Sequence, residues 1–112
     1  MATYNNGVIR DGSIPNSGKT LGNVSKGLIR DGSVVNSGRT LGNAGKQLIR
    51  DGSSLNSGRT LGNVSGGNVR DGSVPNSGRT IGKVKDFSIK GMEKEDEELM
   101  IAAYHFLIKP IF

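Results

Sequence analysis

A unit of twenty residues is written four times in this chain, and it constrains the fold more than any other feature. The copies span residues 7–26, 27–46, 47–66 and 67–86, and the second of them reads GLIRDGSVVNSGRTLGNAGK. A repeat this regular predicts that one small structure recurs and buries its apolar face against its neighbours. The 112 residues are therefore expected to form one domain.

Each copy contains two short strand-like segments separated by turn residues. In the second copy, an outgoing strand begins at residues 28–30, and Val34 and Val35 are expected to continue it. Residues 36–38 (Asn-Ser-Gly) predict a turn, because Asn and Gly tolerate the positive φ that tight turns need. Residues 39–44 form the returning strand, and residues 45–46 lead into the next copy. Two strands in twenty residues predict a β-hairpin repeat.

Three apolar rows recur with the repeat and are predicted to form the core face. They are Ile9, Ile29, Ile49 and Val69; Leu21, Leu41, Leu61 and Ile81; and Val24, Ala44, Val64 and Val84. A glycine follows each member of the leucine row, at residues 22, 42, 62 and 82. These glycines predict a place where another backbone or side chain approaches closely.

The pattern extends past the four copies at both ends. Residues 87–91 look like the outgoing strand of a fifth unit, and residues 2–4 look like the end of a returning strand, with Tyr4 in the position of Val24. Half-units at both ends favour a ring whose first and last strands meet, which also removes exposed sheet edges. An open solenoid capped by the tail is the structural alternative.

The composition changes after Gly91. Residues 93–98 are mostly acidic, residues 99–108 are nearly all apolar, and Pro110 follows. Acidic residues favour the start of a helix and proline favours its end, so a helix is predicted from about residue 94 to residue 108. Because it is apolar all round, it is expected to pack on or in the ring. The final Ile111 and Phe112 are expected to protrude and to favour docking.

The predicted fold is therefore mainly β, with four hairpin repeats in a closed pseudo-four-fold ring (residues 1–91) and one C-terminal α-helix (residues 92–112). The quadruplicated G-x-[IV]-R-D-G…N-S-G-[KR]-T-[LI]-G unit and the tail AAYHFLIKPIF resemble the four-fold beta-flower proteins. The resemblance covers nearly the whole chain and implies hairpin petals with a C-terminal helix. That family has no established function, so the resemblance implies no functional residues.

Composition narrows the classes of function. The chain has no cysteine, which excludes disulfides and thiolate metal sites. Its first residues lack the basic and apolar pattern of a signal peptide. The longest apolar stretch, residues 99–108, is too short to span a bilayer. We expect a soluble protein without a membrane span, and a cytoplasmic location is favoured.

The uneven charge distribution is suited to attracting anions or nucleic acid; alternatively, the two halves of one domain simply offset each other. The net charge is +5, but residues 1–85 carry twelve Lys or Arg against four Asp, while residues 86–112 carry three Lys against six acids. The repeat places cations in two rows, Arg10, Arg30, Arg50 and Arg70, and Lys19, Arg39, Arg59 and Arg79. Converging guanidinium groups can hold a phosphate, sulfate or polyanion through paired hydrogen bonds. Alternatively, each Arg pairs with an Asp of the adjacent petal or is simply solvated.

Other candidate motifs favour structural roles. The segment from Gly12 to Thr20 resembles a phosphate-binding loop, but five residues separate its glycines where four are required. Asp11, Ser13 and Asn16 lie near calcium-loop spacing without the usual additional carboxylates, so we expect them to cap their own turns. His105 is the only histidine and is expected to be a packed core residue. No metal or cofactor is therefore predicted.

These observations favour a non-enzymatic structural or protein-interaction module that self-associates or docks a protein partner. The alternative is a binding module for an anionic small molecule, a glycan or a nucleic acid through the two cationic rows. Nucleic acid is the least favoured of these ligands, because the repeats lack the aromatic residues on which single-stranded bases stack. An enzyme would need a converging acid–base pair, which the sequence does not supply.

Overall fold

The structure, a computed structural model, describes residues 2–12, 14 and 17–112. In this part of the chain, nine strands form one antiparallel sheet in which each strand pairs with its neighbours in sequence. The strands are β1 (Ala2–Asn5), β2 (Val8–Asp11), β3 (Lys19–Ser25), β4 (Leu28–Arg30), β5 (Thr40–Gly45), β6 (Leu48–Arg50), β7 (Thr60–Ser65), β8 (Asn68–Arg70) and β9 (Thr80–Lys83). A 3-10 helix (Val84–Phe87), the helix α1 (Glu97–Ala103) and a π-helical turn (Tyr104–Ile108) follow. The prediction of a mainly β chain with one C-terminal helix is confirmed.

Two-residue turns join β1 to β2, β3 to β4, β5 to β6 and β7 to β8. Both residues of each turn have positive φ, as at Lys26 (+54°) and Gly27 (+80°). This is the geometry of the type I′ turn, whose twist matches that of the flanking strands. In the third of these turns the second position is Gln47 (φ +70°), whereas the other three turns have glycine there.

The predicted continuation of the outgoing strand through Val34 and Val35 is wrong. Strand β4 ends at Arg30, and the two valines lie in a loop with 61% and 38% of their surface exposed. A turn does follow, but it spans residues 34–37 and not the predicted 36–38, since the Ser37 backbone N–H donates to the Val34 carbonyl oxygen at 3.1 Å. The strand stops early because the Asp31 carboxylate accepts the Arg39 backbone N–H at 2.7 Å and closes the loop.

Two of the three predicted core rows are buried. Ile9, Ile29, Ile49 and Val69 are fully shielded, and Val24, Ala44, Val64 and Val84 are 3–8% exposed. The leucine row is only half-buried, which differs from the prediction. Its members are bulge residues: Ile29 pairs with Gly42 and Arg30 pairs with Thr40, so Leu41 has no partner on β4. The bulge turns this side chain away from the regular alternation of the strand.

The predicted closed ring does not form. Strands β1 and β9 are the two ends of the sheet, and residues 87–91 do not form a further strand. The Asp86 carboxylate accepts the Lys83 backbone N–H at 3.0 Å and starts a 3-10 helix where the earlier copies have a two-residue turn. The chain then returns to β1 only through a single parallel bridge, in which the Tyr4 backbone N–H donates to the Lys90 carbonyl oxygen at 2.7 Å.

The C-terminal segment covers the core face of the sheet. Met100, Ile101, Ala102 and Ala103 of α1 are each at most 8% exposed and belong to the same apolar cluster as the strand rows. The helical region begins at Glu97, slightly later than predicted, and ends at Ile108 as predicted. Ile111 and Phe112 pack against this cluster, so the expected protrusion of the tail is wrong.

The predicted close approach at the four recurring glycines is observed. A Cβ atom at Gly22 would lie 2.6 Å from the Leu107 side chain, and one at Gly82 would lie 3.1 Å from the Phe87 ring. At Gly42 and Gly62, a Cβ atom would collide with the rings of Phe106 and Phe112. Each glycine is therefore a socket for a large side chain from the C-terminal part of the chain.

Candidate functional site on the outer face

The outer face of the sheet, opposite α1, is organised by three buried asparagines that we call the anchoring asparagines: Asn23, Asn43 and Asn63. The Asn43 amide nitrogen donates to the carbonyl oxygens of Gly52 and Ser57, both at 3.1 Å. Its amide oxygen accepts the Asn56 backbone N–H at 3.0 Å. Each anchoring asparagine thus holds the long loop of the following copy.

Sequence reasoning did not identify these asparagines. Asparagine is disfavoured in strands, yet it recurs at the same strand position in three copies. In the fourth copy, where no long loop follows, the position is Lys83. At the start of the sheet the equivalent position is Thr3, whose buried hydroxyl has no hydrogen-bond partner among the described residues. The recurrence of asparagine, which is depleted in strands, at one strand position was the signal in the sequence.

The register places arginines beside the anchoring asparagines. Arg30 pairs with Asn23 on one side and with Thr40 on the other, so its side chain lies on the outer face. The loops held by Asn23 and Asn43 lie over β3 and β5, and Arg30 on β4 therefore lies in the groove between two successive loops. Arg50 repeats this arrangement in register, and Arg70 does so with an anchored loop on one side only, over β7.

We call Arg30, Arg50 and Arg70 the arginine row. In all three, the Nε atom is shielded from solvent and has no hydrogen-bond partner among the described residues. The terminal nitrogens of these three side chains also donate no hydrogen bond to a described residue, but they are not among the shielded atoms without a partner. They therefore reach the surface. A guanidinium with a buried N–H that has no hydrogen-bond partner is destabilised until an acceptor binds to it.

Arg10, the fourth predicted member of this set, has the same register, since it pairs with Thr3 and Thr20. Successive arginines are two strands apart, which corresponds to about 10 Å between their backbones. The structure therefore places Arg10 and the arginine row in one line across the outer face, not around a closed ring.

The second predicted set is separated from the first. Lys19, Arg39, Arg59 and Arg79 are exposed and lie one residue before the threonines that pair with the first set. Strand alternation directs Lys19 on β3 toward the other face, and Arg79 lines a cleft with Ile111 and Phe112 of the tail on that face. Arg59 approaches Asp51 of its own loop at 3.9 Å rather than an Asp of the adjacent petal. The two sets therefore do not converge.

Apolar side chains lie at the tips of the long loops. Ile14, Val34, Leu55 and Val74 are exposed by 66%, 61%, 50% and 57% of their surface, respectively. Val34, Leu55 and Val74 stand on the same side of the sheet as the arginine row because the anchoring asparagines hold their loops there. The outer face thus combines aliphatic loop tips with cationic grooves.

The remaining predicted motifs have structural contacts. Asp31, Asp51 and Asp71 each accept the backbone N–H that closes their own loop, all at 2.7 Å. Ser13, Pro15 and Asn16, which belong to the phosphate-loop and calcium patterns of the first copy, lie outside the described residues. His105 is half-buried, and its Nδ1 accepts the Ile111 backbone N–H at 2.9 Å, while burial lowers its pKa.

Comparison of the chain with protein-family models, with curated proteins and with solved structures found no match in any of the three. Within residues 2–12, 14 and 17–112, no helix is long and apolar enough to cross a membrane. The outer face therefore has to be interpreted from its own geometry.

Proposed function

We propose that this protein is a non-enzymatic binding module that holds a sparsely charged polyanion along the arginine row. The observation that carries the proposal is the buried, unpartnered Nε at the same position of three successive copies. A single such atom is easily satisfied by water. Three in register, each on a cation with no carboxylate partner among the described residues and with its terminal nitrogens at the surface, mark a repeated site where those terminal nitrogens meet the acceptors of a ligand.

The class of ligand follows from the spacing and the charge. An arginine fork offers two parallel N–H groups to one phosphate, sulfate or carboxylate. Arginines about 10 Å apart at the backbone suit a chain whose anionic groups are well separated, as in a sulfated glycan. A nucleic-acid strand presents one phosphate per about 3.4 Å of its axis, which is a much denser charge.

Aromatic placement further favours a glycan over a single-stranded nucleic acid. Tyr4, Phe87, Tyr104, Phe106 and Phe112 all pack against the core cluster on the other face. Among the described residues, the outer face therefore offers no ring on which a base can stack, and stacking is a main source of affinity for single strands.

The test is binding of a chondroitin sulfate octasaccharide, with a single sulfate on each disaccharide, to the full chain, measured by calorimetry at several salt concentrations. Arg50→Gln is expected to weaken binding by about tenfold, the size of one lost charge-assisted hydrogen bond. Arg50→Lys is expected to weaken it nearly as much, because lysine keeps the charge but lacks the fork. The matched control is Arg59→Gln, which removes an exposed arginine of the same copy from the other set and leaves affinity within about twofold.

Three results would overturn the proposal: no binding at physiological salt, equal losses for the Arg50 and Arg59 variants, or full affinity in Arg50→Lys. Inorganic polyphosphate and a single-stranded oligonucleotide of the same charge serve as comparison ligands. Tighter binding of either one would refute the assignment to a sparsely charged glycan.

The loop tips support a second candidate, a protein-interaction or self-association module. Val34 and Val74 are more than half exposed at equivalent positions, and aliphatic residues repeated along one side form the apolar part of many interfaces. Light scattering of the full chain after size exclusion tests this candidate. If the chain associates, Val34→Ser with Val74→Ser should return it to a monomer, and unchanged association would exclude the loop tips.

We also propose that the copies keep the pseudo-four-fold relation expected of a flower-like protein and that the chain is related to the beta-flower family. The recurring bulge, loop closure and anchoring asparagine support the idea. An experimental structure tests it, since one and the same rotation should superpose each copy on the next.

A further inference from the structure

A cleft lies where the sheet fails to close, between the end of the last copy and the start of α1. Its volume is about 410 Å³, and its floor is formed by Val84, Ile89, Met92 and Met100. Ligand sites in proteins commonly have volumes of about 300–1,000 Å³ and mostly apolar walls. Met92 and Met100 are 1% and 8% exposed and so lie beneath the opening, where their flexible, polarisable side chains adapt to the shape of a guest. The cleft therefore has the size and lining of a small-molecule site.

The rim of the cleft carries negative charge. Glu93, Glu95 and Glu97 line it together with one cation, Lys90. The Glu93 carboxylate accepts the Gly91 backbone N–H at 2.9 and 3.2 Å, which fixes its position. Hydrogen bonds from its own backbone N–H and from that of Gly91 lower the pKa of Glu93, so it stays ionised at neutral pH. This local excess of acid contrasts with the net charge of +5 of the whole chain.

We propose that this cleft binds a small organic cation with an apolar body, such as an alkylammonium or arylammonium compound. The apolar floor removes the body of the ligand from water, which supplies most of the affinity. The carboxylates select the sign of the charged end, because an anion would meet like charges and a cation meets opposite ones. The site is independent of the arginine row, which lies on the other face of the sheet.

The first test compares three ligands with the same eight-carbon body on the full chain: n-octylammonium, octan-1-ol and octanoate. Methyl-labelled methionine NMR follows Met92 and Met100 directly. We expect n-octylammonium to shift both methyl signals and to bind about five- to tenfold more tightly than octan-1-ol, with octanoate weaker than both. Added salt should reduce the affinity for n-octylammonium and leave that for octan-1-ol unchanged. Equal binding of the ammonium and the carboxylate would overturn the proposal.

The second test uses variants of Glu95, which is exposed, and of Glu98, which is half-buried, and both are expected to fold normally. Glu95→Gln is expected to weaken n-octylammonium binding about two- to fivefold, the effect of one exposed ion pair. The matched control is Glu98→Gln, a nearby position on α1 that does not line the cleft. Glu98 instead approaches the Gln47 backbone N–H at 3.4 Å. Equal losses in the two variants, or no loss in Glu95→Gln, would assign the effect to general surface charge and refute the site.

Discussion

Replacing the anchoring asparagine Asn43 by alanine tests the central feature of the outer face. The side chain makes three hydrogen bonds of 3.0–3.1 Å, two as donor to the Gly52 and Ser57 carbonyls and one as acceptor from Asn56. Each is worth about 1 kcal/mol net, and a buried group left unpaired costs more. The loop is partly exposed, so water recovers some of that loss. We expect Asn43→Ala to lower the free energy of unfolding by about 2–3 kcal/mol.

A stability loss of that size is large for a single domain, whose total is typically about 5–15 kcal/mol. Urea unfolding followed by circular dichroism measures it, and the melting temperature should fall by at least about 8 °C. Asn43→Asp should destabilise more than alanine at neutral pH, because a carboxylate cannot donate and would face two carbonyl oxygens.

Lys83 provides the matched control, since it occupies the same repeat position where no long loop follows. Lys83→Ala should change stability by no more than about 0.5 kcal/mol, as is usual for an exposed site. Should Asn43→Ala and Lys83→Ala behave alike, the hydrogen bonds to the loop do not stabilise the fold and the reasoning fails.

Three further predictions concern the core face, a turn and the tail. Gly42→Ala should destabilise the fold by about 1–3 kcal/mol through overpacking against Phe106. The control Gly45→Ala should be nearly neutral, because a Cβ atom there has its nearest neighbours at 3.8 Å. Equal urea midpoints of the two variants would contradict the close packing of Phe106 on Gly42. Gln47→Gly should stabilise the fold by about 1 kcal/mol because glycine adopts the positive φ of this position without strain. Gly67→Gln, the reverse change in open space, should destabilise the fold by about as much. Destabilisation by Gln47→Gly or stabilisation by Gly67→Gln would refute this reasoning. Burial lowers the pKa of His105, so its neutral form contributes to the stability of the fold. This contribution is fully present above the ordinary histidine pKa of about 6.5. It is lost as the pH falls from there through the lower pKa of the folded state. Urea titrations at pH 7.5 and 5 should show a drop that His105→Gln reduces, and an identical drop in both proteins would exclude the histidine.

The parts of the fold that depend on local pattern could be predicted from the sequence. Hairpins, a turn that includes Asn36 and the helical region follow from the repeat period, the turn residues and the charge placement, which act over a few residues. The shape of the long loop could not be predicted. Val34 and Val35 favour a strand by propensity, but the hydrogen bond from the Arg39 backbone to Asp31 and the contacts of Asn23 favour a loop. Such contacts join residues eight to fourteen positions apart, and a propensity argument does not include them.

The candidate site was predictable only in part. The sequence places cations in two rows, and it cannot tell which row is shielded, because shielding depends on the bulge at Leu41 and on the loops folded over β3 and β5. The ring was predicted from the half-units at the ends. It fails at Asp86, where one carboxylate replaces a turn by a 3-10 helix. A single residue outside the repeat pattern therefore changed the topology that four nearly identical copies had suggested.

The glycine sockets explain how a repeat with so few apolar residues forms a packed core. Each copy leaves a gap at a glycine, and the gaps at Gly42 and Gly62 are filled by Phe106 and Phe112 from outside the repeat. The core is therefore shared between the repeat and the C-terminal segment, with neither part complete by itself. This division leaves the outer face free of any role in the core. None of its arginines and loop-tip residues belongs to the core cluster, so changes to these side chains leave that cluster intact, which is the property that a binding surface requires.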